Sequence, residues 1–280
     1  MDFIEAYAAA AARWPVGTGS LDVPTSWGRT SVLAAGPATA PPLVLLHGGG
    51  TTATSWAGVA GALAGRFRVL APDQPGSPGR STSSRPFRTT ADTTAWLAEL
   101  LAALGTGPVH LGGHSAGAHL ALSCALERPG TVASLALVDP TACVAGFSPR
   151  YLLHAAPHLL RPTPHRVRRF LAWETGGRAV DPVELDLWVR GSTEFESTPI
   201  VRTRRPSRAR LSRLGTPTLV LVGGRSRAHD PSRVARNARS LLPDATVVVL
   251  PEASHHTLPV LDAEETAAAI ARHVERSTPG

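Results

Sequence analysis

Short apolar runs recur along the chain, and most of them precede a segment with helical periodicity. Residues 42–46 and 132–138 are apolar at nearly every position, and so are residues 219–222 within a further predicted strand, 216–223. Such runs are typical of strands buried on both faces of a parallel sheet. Between residues 91 and 104, leucines recur at i, i+3, i+4 and i+7, which predicts a helix that packs one face on such a sheet. The pattern therefore predicts an α/β fold.

Weaker signals supply the remaining elements. An amphipathic helix is predicted at the N-terminus, and further strands are predicted at residues 20–23, 30–35, 67–71, 109–111 and 246–250. Helices are predicted after Ser115, at residues 231–242 and from Asp262 onwards, where Glu265 three positions later indicates a capping box.

The alternation stops between residues 141 and 214. This span holds three helical pieces, several prolines and two of the six tryptophans, Trp173 and Trp188. We interpret residues 141–214 as a helical cap that separates a first part of the core, 1–140, from a second part, 215–280. A chain of 280 residues fits one α/β domain with an insertion better than two independent domains.

Composition narrows the class of protein. Hydrophobic residues make up 43% and charged residues 18%, which indicates a globular chain. The formal net charge is +7 and every basic side chain other than histidine is arginine, yet no nucleic-acid motif accompanies the charge, so no nucleic-acid partner is expected. Cys124 and Cys143 are too few for a disulfide framework and lack metal-ligand spacing, so neither a metal nor an organic cofactor is expected.

Hydropathy gives no sign of a membrane protein. No apolar stretch approaches the roughly 20 residues that a bilayer-spanning helix needs. The N-terminal segment carries Asp2 and Glu5 where a signal peptide would carry positive charge. A cytoplasmic location without membrane association is therefore expected.

The residues 113–117, GHSAG, follow a short apolar run and precede a helix-forming run. They fit the G-x-S-x-G pattern of a nucleophile elbow, in which a serine lies on a sharp strand-to-helix turn. Small residues at Gly113 and Gly117 leave room for the unusual backbone of Ser115. Ser115 is the candidate nucleophile.

GGHSAG is one of six short motifs that are spread along nearly the whole chain. In chain order they are LLHGGG, PDQPGSPGRS, GGHSAG, LALVDP, TLVLVGG and VVLPEASHH. In this order they resemble the motifs of the α/β-hydrolase superfamily. The resemblance implies an eight-stranded, mostly parallel sheet flanked by helices, with a helical cap inserted after strand 6. It also implies a catalytic triad whose members follow the order serine, acid, histidine along the chain.

The resemblance assigns roles to both glycine-rich turns. The HGGG loop and the residue after the nucleophile supply the oxyanion donors in this family, so the amides of Gly49 and Ala116 are the candidates here. His47, which opens the loop, is interpreted as a brace for the loop, and Asp73 as a structural residue. The residues expected to contact the substrate are Gly48, Gly50, His114, Trp173, Trp188 and His256.

The catalytic histidine is placed by the last motif. PEASHH resembles the GAGH pattern of the family, which favours His255 over His256 as general base. His256 is then a neighbour that lines the pocket.

The acid has two candidates, because Ser226 occupies the family's usual acid position after the seventh strand. Asp139 lies at the end of the sixth strand, the alternative acid position in some lipases and dehalogenases of the superfamily. Asp230 lies further along the strand-seven loop, where it can instead cap the next helix. Asp139 is favoured, and Asp230 stays open as the alternative.

Arginines cluster in two blocks of the cap. The simplest interpretation is that these arginines form a solvent-exposed face. The more specific hypothesis is that they form a docking surface for an acidic carrier protein that holds an acyl thioester. The two blocks are Arg161, Arg166, Arg168 and Arg169, then Arg202, Arg204, Arg205, Arg208, Arg210 and Arg213.

The leading functional hypothesis is a cofactor-independent serine hydrolase that cleaves a carboxylic ester or lactone through an acyl-enzyme on Ser115. A thioesterase or acyl-transferring cyclase of specialised metabolism is the alternative within enzymes. Carbon–carbon bond hydrolases and cofactor-free haloperoxidases use similar triads. A catalytically silent binding protein with the same fold is the hypothesis from a different class, because Ser226 replaces the usual acid.

Overall fold

The computed structural model describes residues 2–198, 201–242 and 244–277. Eight strands form one sheet in the order β1-β2-β4-β3-β5-β6-β7-β8. Their bounds are β1 Gly19–Thr25, β2 Gly28–Ala35, β3 Pro42–Leu46, β4 Arg68–Pro72, β5 Val109–His114, β6 Val132–Val138, β7 Thr218–Gly223 and β8 Thr246–Leu250.

The sheet is mostly parallel, which confirms the predicted class. Strands β3 to β8 run parallel to one another, whereas the β1–β2 and β2–β4 pairs are antiparallel. The carboxyl ends of β3, β5, β6 and β7 therefore meet at one edge, which is where an α/β sheet places its ligands.

Ten α-helices accompany the sheet in the described part of the chain. Two of them, α2 and the one-turn α8, were not predicted from the sequence. The bounds are α1 Phe3–Ala11, α2 Ala57–Leu63, α3 Thr90–Ala103, α4 Ala116–Glu127, α5 Pro149–Leu160, α6 Pro164–Glu174, α7 Pro182–Thr193, α8 Arg208–Leu211, α9 Pro231–Leu241 and α10 Ala263–Ser277.

Helices cover both faces of the sheet. Since successive side chains along a strand point to opposite faces, the side chains of a central strand are buried on both sides. In β3, Val44 and Leu46 join an apolar cluster with α3, α4 and α9, whereas Leu43 and Leu45 join a cluster with α2 and α10 on the other face. All four side chains are fully buried. This explains why the run reads as continuously apolar in the sequence.

Helices α5 to α8, here called the inserted helices, lie between β6 and β7 in the chain. Three of them, α5, α6 and α7, share an apolar cluster that includes Tyr151, Phe170 and Val189. Helix α7 also packs on α1, where Tyr7 and Leu187 meet. Helix α7 thus contacts the core as well as the other inserted helices. The boundaries predicted from the sequence, 1–140, 141–214 and 215–280, stay a prediction.

Among residues 2–198, 201–242 and 244–277, no helix combines the length and apolar character that crossing a membrane requires.

Candidate active site

Ser115 lies on a strained turn between β5 and α4. Its backbone has φ 54° and ψ −113°, a conformation that residues with a side chain rarely adopt. The flanking glycines are required by sterics, because a Cβ at Gly113 would lie 2.3 Å from the carbonyl of Gly117, and one at Gly117 would lie 2.4 Å from the carbonyl oxygen of Leu46. The turn holds the hydroxyl of Ser115 at the carboxyl edge of the sheet.

A hydrogen-bonded chain connects Ser115, His255 and Asp139. The Ser115 hydroxyl lies 2.9 Å from His255 Nε2, and His255 Nδ1 lies 2.6 Å from Asp139 Oδ2. The exposed fractions of these residues are 8%, 1% and 0%. With the Nδ1 proton donated to the carboxylate, Nε2 is free to accept the proton of the serine hydroxyl.

Asp139 is a buried carboxylate held by four donors. Besides His255, it accepts hydrogen bonds from the Gly223 amide at 2.9 Å, the Ser226 hydroxyl at 2.7 Å and His229 Nε2 at 3.1 Å. Burial alone would raise the pKa of Asp139, but the hydrogen bonds and charge of the two histidines outweigh burial and hold the pKa well below its usual range. The carboxylate is therefore ionised at neutral pH.

The alternative acid, Asp230, lies elsewhere. Its carboxylate caps α9 by accepting a hydrogen bond from the Arg233 amide at 3.1 Å, and its side chain is exposed. Ser226, which occupies the family's usual acid position, donates to Asp139 instead. The geometry thus brings Asp139, and not Asp230, to the candidate base.

The HGGG loop lies beside the start of α4. A Cβ added at Gly49 would meet the Cβ of Ala116 at 3.9 Å, so the two predicted oxyanion donors are neighbours. The Ala116 amide belongs to the first turn of α4, where backbone N–H groups have no partner inside the helix. His47 holds the loop, since its Nε2 accepts from the Gln74 amide at 3.1 Å and its Nδ1 donates to the Gly48 carbonyl at 2.9 Å.

Two further histidines surround His255. His114 Nε2 donates to the His255 carbonyl at 2.8 Å, and burial lowers the pKa of His114 to about 3. His256 Nε2 lies 3.3 Å from the Tyr151 hydroxyl, and burial, followed by the proximity of His255 and His114, holds the pKa of His256 well below its usual range. Both imidazoles are therefore neutral at neutral pH.

These three imidazoles are the one group in the described chain with metal-ligand spacing. One nitrogen from each of His114, His255 and His256 lies within 4.8 Å of the others. However, His255 uses both ring nitrogens within the chain, and His114 Nε2 is also engaged. A metal ion here would have to displace the hydrogen bond from Ser115 to His255.

Sequence reasoning missed Glu174, the last residue of α6. Its buried carboxylate accepts hydrogen bonds from the backbone amides of His255 at 3.0 Å and His256 at 3.1 Å, and from the Ser254 hydroxyl at 3.1 Å. Burial raises the pKa of Glu174, while His255 opposes that rise. An inserted helix thus fixes the loop that carries His255, through a contact that helical periodicity cannot reveal.

His229 was also missed. Burial would lower its pKa, but the charge of Asp139 and the hydrogen bond to it dominate and raise it. Asp139 is thus flanked by an imidazole on each oxygen, His229 on Oδ1 and His255 on Oδ2.

The raised pKa of His229 predicts a pH-dependent contribution to stability. The charged imidazole stabilises the fold fully below its unfolded pKa, about 6.5, and this contribution is lost as the pH rises through the higher folded pKa. We expect the free energy of unfolding in urea to differ between wild type and His229→Gln by more at pH 6 than at pH 9. His165→Gln, at an exposed position, is the matched control. An equal difference at both pH values would contradict the prediction.

A small cavity of about 20 Å³ opens next to the HGGG loop. Its lining includes Gly50, His114, Trp188 and His256, four of the residues expected to contact the substrate. Trp173 lies elsewhere: it stacks on His154 with 4.0 Å between ring centroids and lines an outer groove of the inserted helices. Of the two tryptophans expected to contact the substrate, Trp188 therefore lines this cavity and Trp173 lines the outer groove.

Residues 43–269 match the alpha/beta hydrolase family. This match covers most of the chain and agrees with the eight-stranded sheet. The chain belongs to the α/β-hydrolase family, as its six sequence motifs imply.

Known proteins of similar sequence or structure include esterases. The chain is 28% identical to a Bacillus subtilis protein described as uncharacterized carboxylesterase nap, over 90% of this chain and 86% of the relative. It is 28% identical to a pimeloyl-[acyl-carrier protein] methyl ester esterase of Nitrosomonas europaea, over 77% of this chain and 88% of the relative. The crystal structure of naproxen esterase (carboxylesterase NP) from Bacillus subtilis superposes with a TM-score of 0.89 at 26% identity, over 99% of this chain and 97% of the other.

Proposed function

We propose that this protein hydrolyses carboxylic esters through an acyl-enzyme on Ser115. The observation that carries the proposal is the continuous hydrogen-bonded chain from Ser115 through His255 to the ionised Asp139. The carboxylesterase relatives support the same reaction class. The alternative of a silent binding protein loses its main support. Ser226 occupies the family's usual acid position, but Asp139 at the end of β6 supplies a carboxylate to His255 instead.

In the first half-reaction, Ser115 Oγ attacks the ester carbonyl carbon while His255 Nε2 takes the hydroxyl proton. The resulting imidazolium is stabilised by Asp139, which also fixes the ring tautomer through Nδ1. His255 then donates the proton to the leaving alkoxide, and the alcohol departs from the acyl-enzyme. Water attacks the acyl-enzyme in the second half-reaction, with His255 again as base, and the carboxylic acid is released.

Negative charge develops on the carbonyl oxygen in both steps. We assign its stabilisation to the amides of Gly49 and Ala116, two residues that are neighbours where the HGGG loop meets the start of α4. Donors of this kind are each worth roughly 10²- to 10³-fold in rate. The brace that His47 forms between the loop and the Gln74 amide keeps the loop in place for this purpose.

We further propose that the inserted helices act as a cap over the site. Glu174 supports this role because it connects α6 directly to the loop of His255. Trp188 supports it from α7, since its indole lies against His256, with 4.5 Å between ring centroids, and lines the cavity.

A carrier-bound substrate is the second candidate. The relative from Nitrosomonas europaea is named as an esterase that acts on an acyl-carrier-protein ester. The arginine blocks at residues 161–169 and 202–213 are exposed, as docking to an acidic carrier requires.

Hydrolysis of p-nitrophenyl acetate and butyrate, compared with an acyl thioester on an acidic carrier protein, tests the proposal. We expect wild type to cleave the free esters well above the rate of Ser115→Ala. Turnover of the carrier thioester alone would favour the second candidate, a carrier-bound substrate. No turnover of either substrate class would contradict the proposed function.

A further inference from the structure

Helix α5 carries its apolar stripe on the outside. Its inward face holds Tyr151 and Ala155, which are buried, and His154 and His158, which stack on aromatic rings of α6. The outward face is a row of leucines with large exposed fractions: Leu152 49%, Leu153 72%, Leu159 58% and Leu160 80%. A surface helix of a globular protein normally turns its apolar side to the core, so this orientation needs an explanation.

The exposed apolar surface of the protein is concentrated at this helix. Eight large apolar side chains are exposed in the described part of the chain, and five of them are the four leucines of α5 and Phe147 just before it. The leucines occupy positions i, i+1, i+7 and i+8, and seven residues complete nearly two helical turns. They therefore form one continuous strip, here called the leucine stripe.

The surroundings of the leucine stripe are cationic. Between Pro140 and Trp173 the sequence has no aspartate or glutamate, but it has five arginines. All five are exposed, and none forms an ion pair with a described residue. They are Arg150, Arg161, Arg166, Arg168 and Arg169.

The groove between α5 and α6 combines the same two properties. Leu153 and Pro157 of α5 and Phe170 of α6 form apolar parts of its wall. Arg166 and Arg169 of α6 supply guanidinium groups to the same groove. A molecule with an anionic head and an apolar chain fits such a wall, because each end meets a surface of matching character.

Charge decides among the partners that could cover this face. A second copy of the chain in a two-fold dimer would bring the five arginines against their own copies, with no carboxylate from residues 140–173 to pair them. An acidic protein would pair the arginines, but its charged side chains would lie against the leucine stripe. A bilayer with anionic lipids supplies phosphate groups for the guanidinium groups and an acyl boundary for the leucines.

We propose that α5 and α6 dock on the surface of a bilayer that contains anionic phospholipids, with the leucine stripe at the acyl boundary and the five arginines among the headgroups. The hydropathy argument against membrane association concerns segments that span a bilayer. A helix of 12 residues that lies flat on the surface needs only an apolar face and nearby cations. The docking is a surface interaction and does not depend on the proposed ester hydrolysis.

Docking places the lipid surface close to the candidate active site. Tyr151 lies on the inward face of α5, with its hydroxyl 3.3 Å from His256 Nε2 and its ring centroid 6.0 Å from that of His255. One helix thus separates the docked lipid from the candidate base, and esters dissolved in the bilayer are presented near the site.

Co-sedimentation with vesicles tests the proposal on the full chain. We expect wild type to bind phosphatidylcholine vesicles that contain about 30% phosphatidylglycerol, to ignore vesicles of phosphatidylcholine alone, and to be released at high salt. Leu153→Ser/Leu160→Ser should weaken the apparent affinity by at least about tenfold at unchanged net charge, since it removes inserted apolar side chains. Both side chains are largely exposed, so circular dichroism and p-nitrophenyl butyrate turnover should match wild type.

A matched pair of arginine variants separates a specific face from general positive charge. Arg166→Gln/Arg169→Gln should weaken binding by about 20-fold, since each arginine near an anionic surface contributes about fivefold. Arg236→Gln/Arg239→Gln removes the same charge from exposed positions of α9, a helix without a leucine stripe. This control should retain most of the wild-type affinity.

Absence of binding to anionic vesicles, an equal loss in the two arginine variants, or binding that survives the leucine substitutions would overturn the inference. A dimer in size-exclusion chromatography that Leu153→Ser/Leu160→Ser dissociates, without vesicle binding, would assign the face to a second copy instead. Binding of an acidic carrier protein without vesicle binding would assign it to that partner. Vesicle binding without turnover of any ester would overturn the proposed function alone.

Discussion

Ser115→Ala is expected to lower kcat for p-nitrophenyl butyrate by about 10⁵- to 10⁶-fold. The substitution removes the oxygen that attacks the carbonyl. A neighbouring hydroxyl, Thr141 Oγ1, lies 3.5 Å from Ser115 Oγ, but His255 Nε2 is hydrogen-bonded to Ser115 and not to Thr141. The oxyanion donors and the cavity stay in place, so a small residual rate is expected. Steady-state kinetics at high enzyme concentration measures the loss.

Ser123→Ala is the matched control for this substitution. Ser123 is buried on α4, as Ser115 is buried at its start, but it takes no part in the hydrogen-bonded chain. We expect Ser123→Ala to retain wild-type kcat within a few-fold. A Ser115→Ala enzyme that keeps more than a tenth of the wild-type rate, while folded by circular dichroism, would be incompatible with an acyl-enzyme on Ser115.

Asp139→Asn is expected to lower kcat by about 10⁴-fold. An amide cannot stabilise the imidazolium of His255, and it can turn an N–H toward Nδ1 and so enforce the wrong tautomer. The three other donors on this carboxylate, from Gly223, Ser226 and His229, would also lose their charged acceptor. The measurement is the rate with p-nitrophenyl butyrate, after urea unfolding has shown that the variant is folded.

Asp230→Asn is the comparison that separates the two candidate acids. Asparagine caps a helix about as well as aspartate, so this variant keeps α9 and changes only the charge. We expect its kcat to stay within about two-fold of wild type. The reverse order, with Asp230→Asn losing more activity than Asp139→Asn, would move the acid to the strand-seven loop and contradict the geometry.

The fold was largely predictable because its signals are local. The run at 42–46 is apolar on both faces since β3 is covered by helices on both sides, and the elbow at residues 113–117 is dictated by sterics. Helix α2, residues 57–63, was not predicted, because its alanines and glycines give little hydrophobic periodicity, although Val59 and Leu63 are buried. Tertiary packing, and not helix propensity, supports this element.

The candidate site was predictable only in part. Ser115 and His255 lie in motifs, but the choice between Asp139 and Asp230 depends on which carboxylate reaches an imidazole more than a hundred residues away in the chain. Glu174 shows the same difficulty, since its hydrogen bonds to the His255 loop span 80 to 82 positions. Such contacts follow from how helices pack on the sheet, and no local pattern encodes them.

Covalent labelling with a fluorophosphonate tests the central claim most directly. Intact-mass and peptide spectrometry would report whether the reagent adds to Ser115 in wild type. We expect one adduct per chain, located on Ser115. It should be absent from Ser115→Ala and form much more slowly in Asp139→Asn. An unlabelled wild-type protein, or an adduct on another residue that persists in Ser115→Ala, would contradict the acyl-enzyme mechanism.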